Sequence, residues 1–94
     1  MQASRQEGHV SLNPSSALRD LIRSGQAGRL RQSAGISQKT MAEGLGVARK
    51  NFSKIENGRY PRNLAFAARY LRVLRGLARH EAVTREMAAQ RRAA

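Results

Sequence analysis

Apolar residues fall at helical spacing along most of this chain, and the phase of the pattern changes at glycines. Leu18, Leu21 and Ile22 form one helical face after Ser15 or Ser16, either of which can cap it. Ala27, Leu30 and Ala34 form another face. At ~100° per residue the two faces do not line up, so the pattern predicts two helices meeting near Gly25 to Gly28. Gly35 ends the second and Ser37 caps a third. Met41, Ala42 and Leu45 then share a face, Gly46 interrupts, Val47 follows, and Phe52 and Ile55 resume three apart. This is the pattern of two short helices, Gln38 to Leu45 and Ala48 to Asn57, crossing at a tight turn. Gly46 suits a left-handed turn residue, and Ala42 lacks the bulk that would hold the helices apart. Beyond a basic loop, Arg59 to Arg62, the positions Leu64, Ala67, Ala68, Leu71, Leu74 and Ala78 recur at three and four. They predict a long amphipathic helix, kinked at Gly76, that continues past Val83 and Met87 towards Arg91. There is no strand alternation and no internal repeat. The fold class is all-α, with about five helices and extended helical segments at both ends.

Charge narrows the partner. Eighteen Lys and Arg against six Asp and Glu give a formal charge of +12 on 94 residues, one small domain. Such a chain is attracted to a polyanion before any specific contact forms, and nucleic acid is the leading class. A basic helix on a membrane surface is the competing explanation, but the stripe from Leu64 to Leu77 is narrow enough to be used by the core. No apolar run approaches the ~20 residues of a membrane span, and Met1 to Ser16 lacks the apolar centre of a signal peptide. With no cysteine there is neither a disulfide framework nor a thiolate metal site, which is compatible with the cytoplasm. The sequon at Asn51 to Ser53 is then accidental. Residues 1–15 are polar, contain Asn13-Pro14 and read as a mobile arm. The core domain is expected over 16–79. Residues 80–94 form a helical extension, read either as a dimerisation segment or as a frayed tail.

The paired short helices present a polar surface. Arg49, Lys50, Asn51, Ser53 and Lys54 lie away from the apolar side of the second one, as a helix-turn-helix reading DNA would require. Arg and Lys can donate to guanine O6 and N7, and Asn can pair with adenine N6 and N7. The alternatives for these side chains are a solvated face or contacts to phosphates alone.

Catalytic patterns fail. His80-Glu81 begins a zincin-like motif, but Thr84 stands where the second histidine is needed. Gly44-x-Gly46 lacks the preceding strand and third glycine of a dinucleotide loop. His9 and His80 have no nearby nucleophile with an orienting acid. No enzyme activity, metal or cofactor is expected.

Ser37-Gln38, Met41-Ala42, Leu45-Gly46-Val47, Ile55-Glu56-Asn57-Gly58 and Pro61 resemble the phage-repressor and Cro type of helix-turn-helix protein, the Xre family, over roughly Gln26 to Leu74. The resemblance implies a lambda-repressor-like fold whose second motif helix enters the major groove. It assigns base reading to Arg49, Lys50, Asn51 and Lys54, and phosphate contacts to Gln38, Asn57, Arg59 and Arg62. A salt bridge between Arg31 and Glu56 would be structural. Ala48 departs from the usual Ser or Thr cap, Gly44 weakens its helix, and Leu18 to Ile22 add an element that many relatives lack. The implied function is a sequence-specific regulator of transcription, Cro-like, acting in the bacterial cytoplasm on the nucleoid. It would act as a homodimer on a palindromic operator in double-stranded DNA. Two other readings stay open: an Xre-type antitoxin that represses its own operon and binds a toxin, and a non-specific architectural DNA-binding protein.

Overall fold

The computed structural model describes the backbone of residues 14–93 and the side chains of 16–93. Among these residues five helices follow in order: α1 Pro14–Arg23, α2 Gln26–Ser33, α3 Gln38–Leu45, α4 Arg49–Glu56 and α5 Leu64–Ala93. No strand occurs among the described residues. The expected arm, 1–15, lies outside them except for Pro14 and Ser15. These two already belong to α1, which starts earlier than a cap at Ser15 or Ser16 would allow, because proline is well suited to a first helical turn.

Local chemistry sets the helix ends. Gly25 adopts φ 84°, a left-handed conformation that reorients the chain between α1 and α2 and accounts for their difference in phase. Ser37 Oγ accepts the Thr40 backbone N–H at 3.0 Å and caps α3. At its other end Gly46 has φ 77°, and Val47 N–H reaches back to Ala42 O at 3.0 Å, the six-to-one bond of a Schellman turn. Asn63 Oδ1 accepts Phe66 N–H at 3.0 Å and starts α5, a cap visible in the sequence as an asparagine just before the periodic run.

One core joins all five helices. Leu18 and Ile22 of α1, Leu30 of α2, Met41, Ala42 and Leu45 of α3, and Phe52 of α4 surround the first half of α5. The α5 stripe is rotated from the expected one. Phe66, Ala67, Tyr70, Leu71 and Leu74 are buried, Ala78 is exposed, and Leu64 is 69% exposed. The aromatic rings decide this: Tyr70 meets Phe52 edge-on at 5.4 Å between centroids and Phe66 at 5.8 Å. Filling the centre with these larger side chains gains more than burying Leu64 or alanines. Similarly Ala34, expected on the core face of α2, is exposed at the helix end, and Arg31 is buried in that face. Helix α5 passes through Gly76 without interruption.

A buried arginine needs a partner, and Arg31 has two. Its Nε and Nη2 donate to Glu56 at 2.6 and 3.0 Å, and Nη1 donates to Ile36 O at 2.7 Å. Gln38 Nε2 adds a third donor to the same carboxylate, 2.8 Å from Oε1. The pair thus ties α4 to both α2 and α3. Glu56 pushes the Arg31 guanidinium above its ordinary pKa, chiefly through the hydrogen bonds, so it stays charged throughout the accessible pH range. Nearby, Tyr70 is fully buried and its hydroxyl has no hydrogen-bond partner among the described residues. Burial also pushes its pKa upward.

Two stability outcomes follow from these geometries. Glu56→Ala strands Arg31 in a nearly closed site and is expected to cost about 3 kcal/mol in chemical denaturation; an unchanged midpoint would show that the cluster contributes nothing. Tyr70→Phe removes a buried hydroxyl without a partner and keeps both ring contacts. Its melting temperature is expected to stay level or rise, with up to about 1 kcal/mol gained, and a clear loss of stability would show that the hydroxyl is satisfied in solution.

Candidate nucleic-acid interface

Helix α4 has a core side and a solvent side. Phe52 is buried and Ile55 half-buried, while Arg49, Lys50, Asn51 and Lys54 are exposed. Among the described residues none of those four side chains makes a hydrogen bond or ion pair within the chain. The only acid of α4, Glu56, is turned inward onto Arg31 and Gln38. The outer face is therefore cationic, with no carboxylate of its own helix to neutralise it. Ala48 makes no side-chain cap, so the first N–H groups of α4 are left without a side-chain acceptor.

The loop after α4 is held in place at several points. Arg59 N–H returns to Lys54 O at 2.9 Å and closes the helix. Pro61 is buried, and the Arg19 guanidinium of α1 stacks 4.5 Å from the centre of the Tyr60 ring. These anchors fix where Arg59 and Arg62 project. Both line an open cleft of about 590 Å³ between α4, the loop and the start of α5, together with Asn51, Lys54 and Arg69, over a floor that includes Ile55 and Phe66. Asn57 is exposed at the end of α4.

The structure does not bring every expected contact residue to one place. Asn51, Lys54, Arg59 and Arg62 converge on the cleft, and Arg49 and Lys50 stand outside it in the first turn of α4. Gln38 is drawn towards the core: one of its two amide N–H donors is committed to Glu56, so only the other and the start of α3 remain for an outside acceptor. Arg69 is a residue the sequence reasoning missed. Its Nη2 donates to Leu45 O at 3.2 Å, satisfying a carbonyl at the end of α3, and its guanidinium carbon lies 6.0 Å from the Phe66 ring centre. On the sequence it is one of several arginines spaced along α5. Only the packing of α5 beside the end of α3 distinguishes it.

Among the described residues there is no group of three or more metal-ligating side chains, and no helix is long and apolar enough to cross a membrane. What the surface offers is fixed positive charge, planar donors and amides on one side of a helix pair. Searches of curated proteins and of solved structures return no significant match. Residues 24–83 do match a family model described as a helix-turn-helix domain; the matched segment takes in α2, α3, α4 and the first two-thirds of α5, the elements that build the interface. With the matching segment spanning well over half of the chain, this protein belongs to the helix-turn-helix domain family.

Proposed function

We propose that this chain is a sequence-specific regulator of transcription that binds double-stranded DNA with α4 in the major groove, in the manner of the Cro-like, Xre-type repressors of phages and prophages. The observation that carries the reading is the outer face of α4. Four exposed donor side chains, without a partner among the described residues, project from a helix whose opposite side is locked into the core and whose acid is turned away. Arg49 and Lys50, in the first turn, are best placed for guanine edges, with Asn51 suited to adenine and Lys54 one turn on.

Arg59, Arg62 and Asn57 then lie at the far end of α4, where the DNA backbone passes a helix seated in the groove. Gln38 meets the other flank with its remaining N–H and the amino end of α3. Arg69 serves these contacts by holding the cleft wall rather than by reaching DNA itself. A regulator of this kind binds an inverted repeat as a homodimer and acts by occluding the promoter.

Base readers and phosphate holders separate experimentally. After selection of a preferred site from random DNA, Arg49→Ala or Lys50→Ala is expected to cost about 1–3 kcal/mol on that site and to relax preference at one base position. Equal losses on selected and random duplexes would reassign both residues to phosphates. For Arg59→Ala the expectation is a similar loss on every sequence, and a salt dependence of binding shallower by roughly one counterion. A slope equal to that of the unaltered chain would remove Arg59 from the backbone contact.

A further inference from the structure

The last buried residue of α5 is Leu74, yet the helix continues to Ala93. Near its middle it is tied back to α2, where Arg29 Nη1 and Nη2 donate to the two Glu81 oxygens at 3.1 and 3.3 Å. From Ala82 to Ala93 no side chain is buried. A helical segment of that length is marginal in water when nothing packs on it. Val83 and Met87, 48% and 54% exposed, are two of the three large apolar side chains so exposed among the described residues.

These two belong to a pattern. Gly76, His80, Val83 and Met87 follow one another at spacings of four, three and four, which places them on one seam of the helix. Leu77 and Glu81, which line a cavity beside α2, lie to one side of that seam, and His80 of the seam borders the same cavity. Gly76 is costly in a helix interior, and among the described residues nothing outside its own stretch of helix lies within 4 Å of where its Cβ would be, so packing among those residues does not require a glycine there. Arg79 and Glu86 flank the seam on its other side, each just before a seam position. Neither has an ion pair among the described residues, and neither has an opposite charge three or four residues away along the helix.

We propose that this face of α5 is a self-association surface on which a second copy of the chain docks antiparallel, about a two-fold axis close to Ala82. This deepens the homodimer part of the proposed function and does not depend on DNA binding. In that register the partner's Met87 lies over Gly76, where the missing side chain lets it approach, and the partner's Val83 lies against His80. Arg79 comes opposite Glu86 of the partner subunit, and the symmetry makes this ion pair twice. A parallel pairing fits worse. It sets glycine against glycine and methionine against methionine, and it leaves Arg79 facing Thr84 of the partner subunit.

Sedimentation equilibrium of the full chain without DNA tests the proposal. The expected result is a reversible dimer. Val83→Glu should weaken it about tenfold or more, and Arg79→Glu or Glu86→Arg alone should each weaken it about tenfold. The double variant carrying both reversals should recover most of the loss. All four positions substituted or paired here are exposed, so circular dichroism should show the helices retained. A chain that stays monomeric at every concentration, or a dimer indifferent to Val83→Glu, overturns the proposal. So does rescue of Glu86→Arg by Arg91→Glu in place of Arg79→Glu, since that is the parallel arrangement. Failure of the DNA reading would look different: a chain that dimerises as described but shows no preference among DNA sequences.

Discussion

The Glu56 carboxylate is the point on which this small domain is organised. Three donors from two other helices converge on it, so the orientation of α4 is set by charged, directional hydrogen bonds as well as by the packing of Phe52. Apolar contact alone leaves a short helix free to roll, because it has no preferred direction. A carboxylate pinned from both sides does not. The same contact turns the one acid of α4 away from solvent, and so the mechanical anchor also determines the electrostatics of the exposed face.

A chain this basic must place its positive charges without letting them oppose folding. Several arginines are absorbed structurally. Arg31 is neutralised by Glu56, Arg29 by Glu81, Arg69 closes the end of α3, and Arg19 lies against the Tyr60 ring. Arg31 and Arg29 use the planar, multidentate guanidinium in a way a lysine ammonium would not reproduce. The cations on α4 and in the loop after it have no acid within reach among the described residues, and a polyanion or counterions relieve their mutual repulsion. Binding and architecture thus draw on the same residue type, separated by whether an acid, carbonyl or ring lies within reach.

Helix α5 has two functions along one length. Its first half is the central core element, with Tyr70 between Phe52 and Phe66, and its second half leaves the domain behind. The Arg29–Glu81 bridge marks the transition, since among the described residues it is the last ion pair between α5 and another helix. The same bridge holds the Glu81 carboxyl below its usual pKa, which keeps the tie ionised well into mildly acidic conditions.

By itself the sequence determined whatever depends on a few consecutive residues. The phase shift at Gly25, the serine cap at Ser37, the left-handed turn at Gly46 and the apolar spacing of α3 and α4 are all local. Their physical causes are steric and hydrogen-bonding preferences within one or two turns. The outward face of α4 was legible for the same reason, because Phe52 and Ile55 fix the inward one. The pairing of Arg31 with Glu56 came from a resemblance to a family, and helix periodicity alone could not have singled out that arginine. Tertiary structure decided which of several equivalent arginines meets which acceptor: Arg69 at Leu45 O, Arg29 at Glu81, and the Gln38 amide turned to Glu56. It also rotated the α5 stripe from Leu64 to Phe66 and Tyr70. Periodicity marks every residue on a face, but the gaps between neighbouring helices have definite sizes, and which side chains fill them is settled only when those helices are brought together.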